Sequence, residues 1–292
     1  MTNICFSIAT PTRNSLDKLK RCVGSIRGQL DASHEHLIQD ACSTDGTPDW
    51  LATQPGLAAV SERDQGMYDA INRAWARSSG DVLSWLNSDE QYLPSTLARV
   101  ERAFREHPQV DVVSGNSIVV DPAGRAVALR REVPFRRRYV ANNFLNVMSC
   151  TLFFRRRLLN SGLLHFNTRY RYAGDMDLML RLAQSRARML HLPDYLSLFG
   201  IDGSNLSTHS GMADETREIQ LKYGGSHRPL VRQGWLVARR IERLLRGAYW
   251  PVAHEYRFAL DETPHYQNIH AQGVGGRYSL NDADDQREVG SP

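Results

Sequence analysis

The chain has 292 residues, 41% hydrophobic and 23% charged, which suffices for the core of one large or two modest domains and excludes a disordered polymer. A formal net charge of +4 does not by itself demand a nucleic-acid partner. No run of about 18 apolar residues is present to span a bilayer.

The positive charge is almost all arginine, since the only lysines are Lys18, Lys20 and Lys222. It clusters at Arg130, Arg131 and Arg136 to Arg138, at Arg155 to Arg157, and between Arg228 and Arg246. The guanidinium fork suits phosphate and carboxylate groups, so these clusters point to an anionic partner. Cys5, Cys22, Cys42 and Cys150 lie far apart with no C-x-x-C pair, which fits reduced thiols rather than a zinc site. The first residues lack the basic flank and apolar run of a signal peptide, so a cytoplasmic protein is expected.

In chain order, Ile4 to Thr10 is a short apolar run that reads as a buried strand. Leu16, Leu19, Val23 and Ile26 follow at helical spacing, with Asn14 or Ser15 available as N-cap. Strands are expected at His36 to Asp40, Leu57 to Ser61, Val82 to Leu86 and Val110 to Val120. Helices are expected around Met67 to Trp75 and Leu97 to Phe104. This alternation predicts an α/β fold with a mostly parallel sheet and helices on both faces. Asp121 to Arg125 reads as a hairpin tip, Val147 to Phe154 as a strand and Asp175 to Ala187 as a helix. Another helix should end at Gly224-Gly225. Leu230 to Tyr249 is basic and amphipathic, and after about Leu260 the chain turns rich in Gly, Asp and Asn, as a flexible tail would.

Ligands of an open parallel sheet bind beyond the carboxyl ends of its strands. Four successive strand ends here are polar and mostly acidic: Thr10-Pro11-Thr12-Arg13-Asn14, Asp40 to Thr47, Ser61 to Asp69, and Asn87-Ser88-Asp89-Glu90. Each has a plain structural explanation. Asp40 can end a strand, Ser43 or Asp45 can cap a helix, and Asn-Ser-Asp is turn-forming composition. Converging in one crevice, such carboxylates need a cation or ligand to offset their repulsion.

These segments, in this order and spacing, resemble the inverting glycosyltransferase family 2 from about Ile4 to Gly115. Further on, Gly174-Asp175-x-Asp177-Leu178 resembles that family's acceptor-side acidic motif. The resemblance implies a GT-A fold, a nucleotide-sugar donor (UDP-, GDP- or dTDP-linked) and a saccharide or lipid-linked saccharide acceptor. It implies that Thr10, Pro11, Thr12 and Asn14 cradle base and ribose, and that Asp40 bonds the base. Asp64, Tyr68, Asn87 and Ser88 would complete the donor site, with Asp69 divided between that role and complementing its helix dipole. Asp89 would hold Mg²⁺ or Mn²⁺, hard cations that take oxygen ligands, with Asn87 and Glu90 as further candidates. Asp175 would be the general base, with Asp177 its rival.

The resemblance departs from the family at Asn87, where an aspartate is common, and at Arg13, where an aromatic is common. The expected organisation is a domain over 1–225, with a donor half at 1–115 and an acceptor half at 116–225. A basic helical extension at 226–259 and a tail at 260–292 follow. The basic helix leaves two readings open: its apolar stripe rests in a lipid interface at the inner membrane face, or packs on the domain. Two rivals stand beside the transferase, a sugar nucleotidyltransferase and a non-catalytic membrane scaffold. A nucleic-acid partner is not expected, because the arginine clusters have little aromatic interleaving.

Overall fold

In the computed structural model, residues 4–201, 211–272 and 274–276 are described. The first half alternates strand and helix as its periodicity predicts. Strands β1 (Cys5–Thr12), β2 (Ser33–Asp40), β3 (Leu57–Ser61) and β4 (Val82–Trp85) alternate with helices α1 (Leu16–Arg27), α2 (Thr47–Ala52) and α3 (Met67–Ala76). Then come β5 (Gln91–Tyr92), α4 (Thr96–Glu106), β6 (Val112–Val120), β7 (Ala126–Arg130) and α5 (Arg137–Asn142). A 3-10 turn at Ser149–Thr151 leads to β8 (Phe153–Arg155), α6 (Arg156–Asn160), α7 (Gly174–Gln184), β9 (Met189–Gly200) and α8 (Gly211–Lys222). Helix α9 (Pro229–Leu245) and the strands β10 (His254–Ala259) and β11 (Tyr266–Ala271) close the described chain.

One nine-stranded sheet runs β3-β2-β1-β4-β8-β6-β9-β5, with β7 paired to β6. Strands β1, β2, β3 and β4 are mutually parallel, and β6 and β9 share their direction because β8 is antiparallel to both β4 and β6. The sheet is therefore mostly parallel, and its carboxyl ends open on one side. On one face, Trp75, Trp85, Phe154 and Phe166 form an aromatic core, with Trp75 stacked on Phe166 at 5.4 Å and Trp85 on Phe154 at 6.0 Å. The other face buries Phe6, Ile8, Ile26, Leu97 and Phe104 beneath α1 and α4. Burial of this kind contributes about 25 cal/mol per Å² of apolar surface and dominates the stability of the sheet.

The structure corrects several expectations. The strand expected from Val147 to Phe154 is a 3-10 turn and only three strand residues. No strand was expected over 189–200, where Pro193 and Asp194 interrupt the apolar pattern. Strand β9 passes that point by slipping register against β6 around Asn116, whose side-chain amide donates to the Pro193 carbonyl at 2.6 Å. The basic extension and the loose tail are also revised. Residues 254–259 and 266–271 form an antiparallel hairpin whose Tyr256, Phe258 and Ala271 are buried against β6 and β7. Gln91 fastens it from the sheet, donating to the Ala259 carbonyl at 3.3 Å and accepting from the Ala259 amide at 2.8 Å. Composition hid this hairpin because it buries few residues, Tyr256, Phe258 and Ala259 on one strand and Ala271 on the other. The rest of the expected tail, 277–292, lies outside the described residues.

Candidate functional site

A cleft of about 650 Å³ opens at the carboxyl ends of β1, β2 and β4 and is closed on its far side by α7. Pro11, Thr12, Asp64, Tyr68, Asn87, Ser88, Asp89 and Asp175 all line it. Segments more than 150 residues apart in sequence thus meet in one crevice, as the strand-end argument required.

The loops on the floor of the cleft are braced by side chains that do not face it. Asn14, at φ 49°, accepts the Thr44 amide at 2.8 Å, and its own amide donates to Ser43 Oγ at 2.7 Å. Ser15 occupies the cap position of α1 without bonding it; Asp45 accepts the Leu16 amide instead, at 2.9 Å, and the Thr47 hydroxyl at 2.6 Å. Asp40 is wholly buried. Its carboxylate accepts the Ser43 amide at 3.1 Å, the Ser61 hydroxyl at 2.5 Å and the Ser43 hydroxyl, so it ties β2 to the following loop and to β3. Thr10 points away from the cleft and bonds His36 Nε2 at 2.8 Å. Thr10, Asn14 and Asp40, expected at the donor, thus lie outside the cleft lining and brace the loops that form it.

Asp69 is likewise engaged within its own segment. It accepts the Gln65 amide at 3.0 Å and pairs with Arg73 at 2.9 Å, four residues on, outside the cleft lining. Asn72, one helical turn past Asp69, grips Phe166, donating to its carbonyl at 2.9 Å and accepting its amide at 2.8 Å. That pair pins α3 to the segment leading into α7. Asp64 does face the cleft and accepts the Gly66 amide at 2.9 Å. Burial, reinforced by the nearby Asp69 charge, raises its pKa above the ordinary aspartate value.

The turn after β4 separates its two acids. Asp89 and Asn87 line the cleft, whereas Glu90 is buried behind it, accepting the Asn87 amide at 2.8 Å and the Ser149 hydroxyl at 3.1 Å. Burial, then the charge of Asp89, pushes Glu90 up to about 8. Glu90, the less certain metal candidate, holds the turn from inside and lies outside the cleft lining. Among the described residues no three Asp, Glu, His or Cys side chains converge as a protein-only metal cage. The residues present fit a hard cation that takes most of its ligands from a diphosphate: one carboxylate, Asp89, beside Asn87 Oδ1, a buried oxygen without a hydrogen-bond partner. Thr12 Oγ1 and Trp85 Nε1, also on the lining, are likewise buried without partners. Buried polar groups are normally satisfied, so these three atoms are acceptors or donors with capacity to spare beside the cleft.

The two acids at the start of α7 are equally distinct. Asp177 is wholly buried, with Lys222 Nζ at 2.7 Å, Tyr223 Oη at 3.0 Å and Arg181 at 3.4 Å. It locks α7 to α8. Asp175 faces the cleft; burial pushes it up to about 6 against the opposing bonds from the Met176 amide and Tyr68. Glu215 on α8 secures the loop before it by accepting the Arg171, Tyr172 and Ala173 amides at 2.8, 2.8 and 2.9 Å. The sequence reading missed Glu215, and it missed Lys18, Arg171, Tyr172 and Met212 on the lining. None of these follows a strand end, which was the signal used.

Residues 7–163, a little over half of the chain, match the family model of glycosyl transferase family 2. The chain belongs to that family. It is 33% identical over 199 residues to PGL/p-HBAD biosynthesis glycosyltransferases of Mycobacterium tuberculosis and Mycobacterium bovis, covering 64% of this chain and 74% of each relative. Solved structures share its GT-A fold at low identity. S. aureus TarS 1-349, in complex with UDP-GlcNAc, superposes with TM-score 0.61 at 18% identity over 82% of this chain and 72% of that one. The mannosyltransferase PcManGT from Pyrobaculum calidifontis, in complex with GDP-Man and Mn²⁺, superposes with TM-score 0.53 at 19% identity over 84% of this chain and 81% of that one. This family 2 protein is thus a glycosyltransferase rather than a sugar nucleotidyltransferase.

Proposed function

We propose that this glycosyltransferase moves one sugar, with inversion and with the help of Mg²⁺ or Mn²⁺, from a UDP-, GDP- or dTDP-linked donor to a saccharide or lipid-linked saccharide. The observation that carries the reading is the placement of Asn87, Asp89 and Asp175 on one cleft of about 650 Å³, with the two rival acids, Glu90 and Asp177, turned out of it. Residues 1–115 form the donor half and 116–225 the acceptor half.

Pro11 and Thr12 hold the base and ribose end, on loops stiffened by Asp40 and Asn14. Asp64 and Tyr68 border the donor sugar. Asp89 and Asn87 hold the cation, which supplies charge stabilisation for the departing diphosphate. Lys18, Arg13 and Arg171 add positive charge around the same cleft. Asp175 accepts the proton of the acceptor hydroxyl as its oxygen bonds the anomeric carbon, and the bond from that carbon to the diphosphate oxygen breaks on the opposite face. Its pKa, raised to about 6, still leaves it mostly ionised at neutral pH while making it a stronger base than an exposed aspartate. The product is a cell-surface polysaccharide or a glycolipid; the mycobacterial relatives are named for PGL/p-HBAD biosynthesis. A lipid-linked acceptor places the protein on the inner face of a membrane as a peripheral enzyme; no helix among the described residues is long and apolar enough to cross one.

Calorimetric titration of UDP, GDP and dTDP, with and without Mn²⁺, tests the reading. One nucleotide is expected to bind tightly only with the cation, and Asp89→Ala should remove that dependence. Binding of none by the folded protein would overturn it.

A further inference from the structure

Helix α9 buries two of its arginines and exposes several of its apolar residues. Arg239 and Arg243 are 2% and 6% exposed. Arg239 donates to Glu132 at 3.0 Å and lies over the Phe144 ring at 4.4 Å, and Arg243 donates to the Gly276 carbonyl at 3.2 Å. Glu242, on the flank, accepts two bonds from Arg136 at 2.7 and 2.6 Å and one from the Tyr139 hydroxyl at 2.9 Å. Trp235 packs on Tyr139 at 6.2 Å.

The opposite face carries Leu230, Val237, Ile241, Leu244 and Leu245, which fall on one stripe at helical spacing. They are 87%, 43%, 52%, 53% and 82% exposed, and Trp250, just beyond the helix, is 65% exposed. Gly234 lies in the same stripe, with nothing within 4 Å of where a Cβ would project. A helix that only had to pack would turn this stripe inward. The buried arginine contacts hold it outward against the cost of wetting it.

We propose that the stripe and Trp250 attach the protein to an anionic phospholipid surface. Charge selects that occupant. Arg240 is exposed beside the stripe, Arg228 and Arg246 are exposed at the two ends of the helix, and Arg136, Arg137 and Arg138 are exposed at the start of neighbouring α5. Between residues 228 and 250 the only acid is Glu242, already bonded to Arg136 and paired with Arg246 at 3.3 Å. A second copy docked by symmetry would bring the same cations face to face, whereas an anionic surface complements them. Apolar side chains sink below the head groups and tryptophan sits at their level, which matches the distribution seen here. Helix α9 packs on α5, and α5 on the Asp175-bearing α7, so the attachment lies on the acceptor half. The inference deepens the lipid-linked acceptor reading and rests on it for its purpose, though its test does not.

The full chain should co-sediment with phosphatidylglycerol-containing vesicles and far less with pure phosphatidylcholine. Each basic residue near an anionic surface strengthens binding roughly fivefold, so Arg240→Glu should weaken it roughly tenfold or more. The double variant Ile241→Glu with Leu245→Glu, both at exposed positions, should abolish it while leaving circular dichroism unchanged. Three results would overturn the proposal: no sedimentation of the wild type, wild-type sedimentation of the double variant, or a dimer that the double variant splits without affecting lipid binding. Sugar transfer to a water-soluble acceptor is measured on the same samples. Transfer that persists without lipid binding refutes the attachment alone, and lipid binding without transfer refutes the transferase reading alone.

Discussion

The hydroxyl of Tyr68 stands 3.4 Å from Asp175 Oδ1 and 3.3 Å from the Asp175 amide, from which it accepts a hydrogen bond. Helix α3, which borders the donor cleft, therefore touches the candidate base on α7 directly. Burial, then the Asp175 charge, raises Tyr68 well above the ordinary phenol, so it stays protonated and available as a donor. Its ring is clamped by Phe166 at 4.7 Å on one side and by the bare backbone of Gly174 on the other, where a Cβ would fall 2.6 Å from the ring.

The first prediction concerns pH. A base works ionised, so transfer should fall as pH drops through about 6, the value to which burial lifts Asp175. The Tyr68 bond favours the ionised form. Tyr68→Phe should therefore move the acid limb of kcat/KM to higher pH while donor affinity stays near wild type. An unmoved limb would remove Tyr68 as a positioning residue.

Asp175→Asn and Asp177→Asn should fail in different ways. The first should bind donor normally and lose transfer by roughly 10²–10⁴-fold, the usual range for a general base. The second should lower stability by about 1–3 kcal/mol, discounted because Lys222 is half exposed, and retain transfer in its folded fraction. Chemical denaturation alongside single-turnover kinetics separates the two.

Strand β9 reaches the cation turn through Gly200, where a Cβ would sit 2.5 Å from the Asp89 carbonyl oxygen. That neighbour is backbone and cannot swing aside. Gly200→Ala should displace the turn and weaken Mn²⁺-dependent nucleotide binding without touching the base-binding loops. Calorimetry should show the loss only in the presence of the cation.

The orientation of α9 depends on Glu132, buried with Arg130 at 2.5 Å and Arg239 at 3.0 Å. Burial alone would raise the Glu132 carboxyl, but the Arg130, Arg243 and Arg239 charges overcome it and hold it below the ordinary value. Glu132→Ala strands those guanidinium groups and should cost about 3–5 kcal/mol. Protease sensitivity confined to residues 226–276 would show that α9 detaches before the sheet opens.

Local sequence determined a great deal here. The apolar runs at β1 and β4 and the helical spacing of Leu19, Val23 and Ile26 determined the parallel half of the sheet. They thereby determined that Thr12, Asp64 and Asp89 lie at strand ends on one side. Periodicity suffices for that, because a strand or helix commits its faces within a few residues. Which member of each close pair faces the ligand was decided only by tertiary structure. Asp175 and Asp177 stand two apart on one helix, Asp89 and Glu90 one apart in one turn, and each pair has the same local chemistry. Lys222 and Tyr223 draw Asp177 inward, and Ser149 draws Glu90 inward, from segments 45 and 59 residues away. The outward stripe of α9 has the same origin. Its amphipathic pattern is visible in the sequence, but whether water or protein meets the apolar face was set by Glu132, a buried charge more than 100 residues away.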